Sequence, residues 1–221
     1  IDDTLTRLQT DHVDIYQMHW PDPNVPLEET AEALEEMKKA GKIRYVGLSN
    51  FAQADVDKMM EYTDVHCQQS LYNMLERNPV SYHSIPLDYL TEKEVLPNVK
   101  KHGQAFLPYS PLFQGLLAGK FNSGVNFSEH DIRNANPKLV GPDFEKYFNA
   151  AKQLKDLADK YNKPMNEIAL NWLRQKEEVT SIIGGASSVK QLENNIHCTT
   201  WDIDDEMMKE IEIIIEPFEN L

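Results

Sequence analysis

A chain of 221 residues with 41% apolar and 26% charged side chains can bury a sizeable core, in one domain or one and a half. Its 36 acidic against 22 basic side chains give a formal charge of −14, which argues against nucleic acid or an anionic membrane as partner, although a local basic spot can hold one small anion. No apolar run is long enough to span a membrane, and Cys67 and Cys198, far apart and without metal-ligand spacing, read as free thiols of a reducing, cytoplasmic compartment.

The pattern alternates strand and helix from the first residue. Ile1, Leu5 and Leu8 recur at helical spacing, so the chain opens inside a helix and the true N-terminus is expected further upstream. Residues 13–20 read as a buried strand. Residues 26–40 read as a helix, with Pro26 at its first position, Glu28 and Glu29 at the positive end of the dipole, Lys38 and Lys39 at the negative end, and an apolar stripe of Leu27, Ala31, Leu34 and Met37. Gly41 suits a left-handed cap. Further strands are expected at 43–49, 66–73, 105–110 and 179–183. Helices are expected around 55–62, 86–102 (closed by Gly103), 143–161, 164–176, 188–197 and 204–216. A long loop carrying Gly115, Gly119, Gly124 and Pro137 follows the fourth strand.

Strands alternating with helices imply a parallel sheet in an α/β fold. Both an open doubly wound sheet and a (β/α)8 TIM barrel fit the pattern. No GxGxxG turn follows a strand, and five strands fall three short of a barrel.

Polar residues gather at strand ends, where parallel α/β folds place their chemistry. His19 ends the first strand, Ser49 and Asn50 the second; Gln69 lies in the third, Tyr109 and Ser110 end the fourth, and Gly184 and Gly185 close the fifth ahead of a helix N-terminus that could meet a phosphate. Taken singly, His19 is a structural histidine, Ser49 and Asn50 cap the next helix, Tyr109 is a core aromatic, the two glycines form a turn, and Lys120 and Arg133 are solvated charges. Together they suit one large polar ligand lying across the strand ends. The remaining histidines form no metal spacing, so no metal is expected.

The strand VDIYQMHWP (residues 13–21) and the stretch GKIRYVGLSNF (residues 41–51) resemble the central part of the aldo-keto reductase family. The blocks QSLYN (69–73), PYSPL (108–112), GLLAGK (115–120) and GASSVKQLENN (185–195) are similar to family blocks too. The last is nearest the branch of potassium channel β subunits and bacterial general-stress reductases. The resemblance covers essentially the whole chain, as one N-terminally incomplete domain over residues 1–221. It implies a (β/α)8 barrel, present here as a partial barrel lacking the first three strand-helix units.

By that resemblance His19 is the catalytic-site histidine that orients a substrate carbonyl. Ser49, Asn50 and Gln69 hold the nicotinamide carboxamide, and Tyr109 stacks on the nicotinamide ring. Ser110, Leu112, Gly115 and Leu116 form a pyrophosphate loop, Lys120 and Arg133 meet the adenosine 2′-phosphate, and Ser187, Gln191 and Asn195 contact the adenosine end. Two departures stand out: many members carry a base where this chain has Ser187 or Ser188, and an acidic residue where it has Asn194. The family's catalytic tyrosine, lysine and aspartate precede the histidine strand and are not in this sequence; Tyr16, Tyr45 and Tyr72 do not belong to that tyrosine motif. The resemblance implies NADP(H)-dependent reduction of an aldehyde, ketone or sugar-derived carbonyl, with a small-molecule substrate, no nucleic acid, no membrane, and an oligomeric state that the sequence leaves open. A nicotinamide-binding regulatory subunit and an inert fragment of such a reductase are the alternatives.

Overall fold

The computed structural model describes every residue except 123–125 and 220–221, so Gly124 of the expected loop lies outside the described residues. In chain order the elements begin with α1 (Asp2–Leu8), β1 (Val13–Met18), α2 (Leu27–Lys39), β2 (Ile43–Ser49), α3 (Gln53–Met59) and β3 (Val65–Leu71). A short hairpin of β4 (Ser81–Tyr82) and β5 (Ile85–Pro86) follows, then a π turn (Thr91–Val95) running into α4 (Leu96–His102), and β6 (Ala105–Tyr109). The C-terminal part carries α5 (Pro137–Val140), α6 (Phe144–Lys160), α7 (Met165–Arg174), α8 (Val189–His197) and α9 (Asp205–Ile215).

β1, β2, β3 and β6 form one parallel sheet in sequence order. The expected fifth strand is reduced to two isolated parallel bridges, Phe106 to Val179 and Tyr109 to Ile183. Side chains explain the broken ladder. The Thr180 hydroxyl takes the Phe106 amide at 3.2 Å, where a strand would offer a carbonyl. Pro108 has no amide to donate, although its carbonyl accepts from Ile183 N at 3.0 Å. The helix expected over 86–102 begins only at Thr91, because residues 81–86 turn back as the hairpin. The expected loop after β6 contains short 3-10 turns at Phe113–Ala118 and Ile132–Ala135 as well as α5.

The caps behave as their residue types dictate. Pro26 stands one position before α2 with an extended ψ of 140°, and Gly41 takes a φ of 72° just past its end. Helices cover one face of the sheet. α2 and α3 bury Ala31, Leu34, Val56 and Met59 against Val46 and Leu48 of β2. A second, larger core gathers Tyr72, Phe106, Leu154, Trp172, Leu173 and Ile211 beneath the C-terminal helices. Between them runs a polar seam. Gln68 donates to Asn98 Oδ1 at 2.9 Å and Gln104 Oε1 at 2.7 Å, and accepts from Gln53 at 3.1 Å.

The opposite face is open at Ile15, Tyr45 and Ile183 but closed at Cys67, which is 1% exposed. Register pairs Ile15 with Tyr45, Gln17 with Gly47, and Gly47 with Cys67, and alternation puts these on the side away from α2 and α3. Ile15, Tyr45 and, on the bridged segment, Ile183 are each more than 40% exposed. Gly47 lets the Gln17 side chain cross it closely, since a Cβ would stand 2.7 Å from Gln17 Cγ and force that side chain to shift.

Burial pushes the Cys67 thiol up from its ordinary 9.0 to about 11 and the Tyr89 phenol from 10.0 to about 12; burial likewise raises Tyr72 and Tyr109. Below pH 9 these acids are protonated whether the chain is folded or not. From about pH 9 the unfolded chain loses protons that the folded chain keeps, so stability falls as pH rises through the 9–12 window. Thermal melts between pH 8 and 11.5 are expected to show Tm flat to about pH 9 and falling above it; a constant Tm would contradict this burial.

Candidate functional site

Asn50 is the hub at the C-terminal ends of the strands. It sits just past β2 in the left-handed region, φ 62°, which asparagine tolerates better than most residues. The helix cap expected for Ser49 and Asn50 is not formed: α3 is preceded by Ala52 and has no side-chain cap. Instead Asn50 ties four strands together. Its backbone N–H donates to the Gln69 carbonyl at 3.2 Å. Its Nδ2 donates to the His19 carbonyl at 3.1 Å and to Ser49 Oγ at 3.1 Å. Its Oδ1 accepts from Tyr109 at 2.8 Å and from Tyr89 at 3.0 Å. Ser49 and Asn50 are buried, Gln69 is half-buried, and His19 is exposed. The His19 ring makes no hydrogen bond among the described residues, and its nearest aromatic neighbour is Trp20 at 6.5 Å. Tyr109 stands edge-on to Tyr82 of the hairpin at 5.3 Å.

Immediately beyond Tyr109 the chain lines a cleft of about 570 Å³. Its walls bring together Ser110, Leu112, Gly115, Lys120, Arg133, Ser187, Gln191 and Asn195. Leu116, expected in the same loop, is instead buried in the core, 1% exposed, and does not line it. The loop floor is tightly folded: Ser110, Phe113, Gln114 and Gly115 all have positive φ, and the amides of Phe113, Gly115 and Leu117 are bonded to Ser110 and Leu112 carbonyls. Asn73 holds the loop from below, donating to the Ser110 carbonyl at 3.1 Å.

The far wall carries carboxamides. Ser187 donates through both N and Oγ to Gln191 Oε1, at 2.8 and 3.0 Å. Asn195 accepts from Asn166 at 3.3 Å. Neither Gly184 nor Gly185 has a positive φ, so the turn itself does not demand glycine. A methyl group on Gly185 would meet nothing within 4 Å, which leaves that backbone open to a ligand.

The two cations differ. Lys120 is exposed and makes no ion pair among the described residues. Arg133 is not the solvated charge its sequence context suggested. Its Nε and Nη2 grip Asp131 at 2.8 and 2.5 Å, it lies 4.3 Å over the Phe127 ring, and it holds the Asp131 carboxyl down at about 2.

Sequence reasoning did not single out Tyr89, Tyr82, Gln114 or Asn166. Tyr89 lay in a stretch expected to be helical, and nothing in its local pattern distinguishes it. Gln114 stands between the noted Leu112 and Gly115, so the loop pointed to its neighbourhood. Among the described residues no group of three or more His, Cys, Asp or Glu could hold a metal ion, and no helix is long and apolar enough to cross a membrane.

A model of the Aldo/keto reductase family matches residues 1–216. The aldo-keto reductase YhdN of Bacillus subtilis is 37% identical over 217 residues, covering 98% of this chain and 62% of that protein. The NADH-specific methylglyoxal reductase of Escherichia coli is 27% identical, covering 96% of this chain and 63% of that protein. Among solved structures, the glycerol dehydrogenase AKR11B4 of Gluconobacter oxydans superposes with a TM-score of 0.84 at 32% identity, covering 98% of this chain and 62% of that one. The chain thus spans somewhat under two thirds of the length of these relatives.

Proposed function

Because this chain belongs to the Aldo/keto reductase family, we propose that the whole protein is a cytoplasmic, NADP(H)-dependent reductase of an aldehyde, ketone or sugar-derived carbonyl. The observation that carries this reading is the continuity from the Asn50 hub through Tyr109 into the carboxamide-lined cleft, one track along the strand ends. The open sheet face, with Ile15 and Tyr45 exposed, supports reading the sheet as an arc of a (β/α)8 barrel that three further strand-helix units would close.

The residues fit such a dinucleotide. Ser49, Asn50 and Gln69 would hold the nicotinamide carboxamide and Tyr109 would flank the ring. Ser110, Leu112, Gly115 and the open backbone at Gly185 would border the pyrophosphate. Ser187, Gln191 and Asn195 would meet the adenosine, and Lys120 with Arg133 its 2′-phosphate. When bound, the nicotinamide supplies the hydride. His19, its ring free, would donate a hydrogen bond to the carbonyl oxygen on which negative charge develops. Burial keeps the Tyr109 and Tyr89 phenols protonated, so both serve as donors that orient and do not act as bases.

Lys120 is expected to read the 2′-phosphate more strongly than Arg133, whose fork already holds Asp131. In the full-length protein Lys120→Ala should weaken NADPH binding about tenfold, the scale of one charged hydrogen bond, and leave NADH binding within about twofold. Arg133→Ala should have the smaller effect. Cofactor titrations decide: equal losses for NADPH and NADH would remove Lys120 from the phosphate site, and tighter binding of NADH by the unaltered protein would overturn the preference.

A further inference from the structure

We infer that Tyr89 is a positioning residue for the nicotinamide end of the cleft, locking the amide of Asn50 in one orientation and, through it, the ring of Tyr109. This rests on the functional reading above and adds a residue that the family resemblance did not supply.

Tyr89 is 2% exposed, in the segment between the β4–β5 hairpin and the π turn. Its hydroxyl accepts from Leu71 N at 3.1 Å, which fixes the oxygen at the end of β3, and its own proton is directed to Asn50 Oδ1 at 3.0 Å. Burial holds this phenol at about 12, so the proton stays in place across the working pH range. A carboxamide oxygen offers two lone pairs. Tyr89 takes one and Tyr109 the other. With the oxygen facing two phenol donors, the NH2 group must face the His19 carbonyl and Ser49 Oγ, both acceptors. A flipped Asn50 would turn its NH2 toward Tyr89, whose oxygen already accepts from Leu71 N, and its oxygen toward the His19 carbonyl, which can only accept. The buried Tyr89 hydroxyl and the His19 carbonyl therefore fix the amide together, because the Tyr109 and Ser49 hydroxyls can each donate or accept while Tyr89, its oxygen taken by Leu71 N, is left to donate.

Two consequences follow for the proposed site. The Asn50 amide is set before any cofactor arrives, which lowers the ordering cost of binding. The Tyr109 hydroxyl is tethered to a fixed acceptor, which restricts the ring that would flank the nicotinamide.

The test is Tyr89→Phe in the full-length protein. The expected result is a five- to tenfold fall in kcat, the scale of one lost buried hydrogen bond. The affinity for adenosine 2′,5′-bisphosphate, a probe of the adenosine end alone, should stay within twofold. In spectra with 15N-labelled asparagine, the slowly exchanging Asn50 Nδ2 protons should lose their protection in the variant. Unchanged kcat with unchanged Asn50 protection overturns the inference. So does a parallel loss of kcat and adenosine-end affinity, which would mark a general structural defect. Failure of the unaltered protein to bind the bisphosphate or to oxidise NADPH with any carbonyl overturns the functional reading instead. In that case retained Asn50 protection in Tyr89→Phe would still refute the positioning role, and lost protection would still support it.

Discussion

The 221-residue chain purified by itself is expected to show no carbonyl-dependent oxidation of NADPH. Reduction places negative charge on the carbonyl oxygen, and a positioned acid that delivers a proton there contributes about 10²- to 10⁴-fold. Among the described residues none is placed for that task. The His19 ring has no hydrogen-bond partner to orient it. Tyr109 is committed to Asn50, and burial drives its phenol far from the neutral range in which an acid works. Tyr45 lies on the open face against His66, ring centroids 4.9 Å apart, with no lysine bonded to it; Tyr16 packs toward the α2–α3 core. The exposed apolar side chains of the open face and the free edge of β1 should also make the isolated chain associate. Absorbance at 340 nm with a panel of aldehydes, alongside sedimentation, tests both points. Turnover by the monomeric chain above the uncatalysed rate would show that an acid in this arc had been overlooked.

Why some of this was legible in the sequence and some was not comes down to the range of the interactions. β6 announces itself through a continuous apolar run and β1 and β2 through short stretches rich in β-branched and aromatic residues set between helical patterns, and Gly41 and Gly103 mark helix ends through a backbone conformation that glycine alone adopts cheaply. Strand ends carrying Ser49, Asn50, Gln69 and Tyr109 are local facts as well. The hub that joins them is not. The bond from Tyr89 to Asn50 spans 39 residues and the one from Tyr109 to Asn50 spans 59, and no local pattern encodes either. Arg133 is the opposite case: its partner Asp131 is two residues away, and the ordinary reading of Arg133 as a solvated charge concealed a bidentate pair. The fifth strand was overread because its apolar pattern is correct while its ladder depends on Pro108 and on the Thr180 hydroxyl, which lie 72 residues apart in the chain.

Replacing Lys138 by methionine is expected to destabilise the fold by about 3–5 kcal/mol, the usual cost of stranding one member of a buried ion pair. Lys138 Nζ lies 2.6 Å from Glu76 Oε1 and 3.0 Å from the Ser81 carbonyl, with side chains only 11% and 3% exposed for Lys138 and Glu76. The other Glu76 oxygen accepts from Asn73 at 2.8 Å, and the same Asn73 nitrogen holds the Ser110 carbonyl. The pair therefore sits beneath the loop that starts the cleft and fastens the hairpin at Ser81 to it. Methionine keeps the length of the stem but leaves a carboxylate in a site that water reaches poorly. For a chain of this size the loss corresponds to a fall in Tm on the order of ten degrees. A double change, Glu76→Gln with Lys138→Met, removes both charges while Gln can still accept from Asn73, so it should recover most of the stability lost by the single variant. Denaturant melts of the two variants and the unaltered protein measure the coupling. A single-variant loss under 1 kcal/mol would mean that the pair is effectively solvated. No recovery in the double variant would mean that Lys138 stabilises through its stem and its bond to Ser81, with the charge of Glu76 of little account.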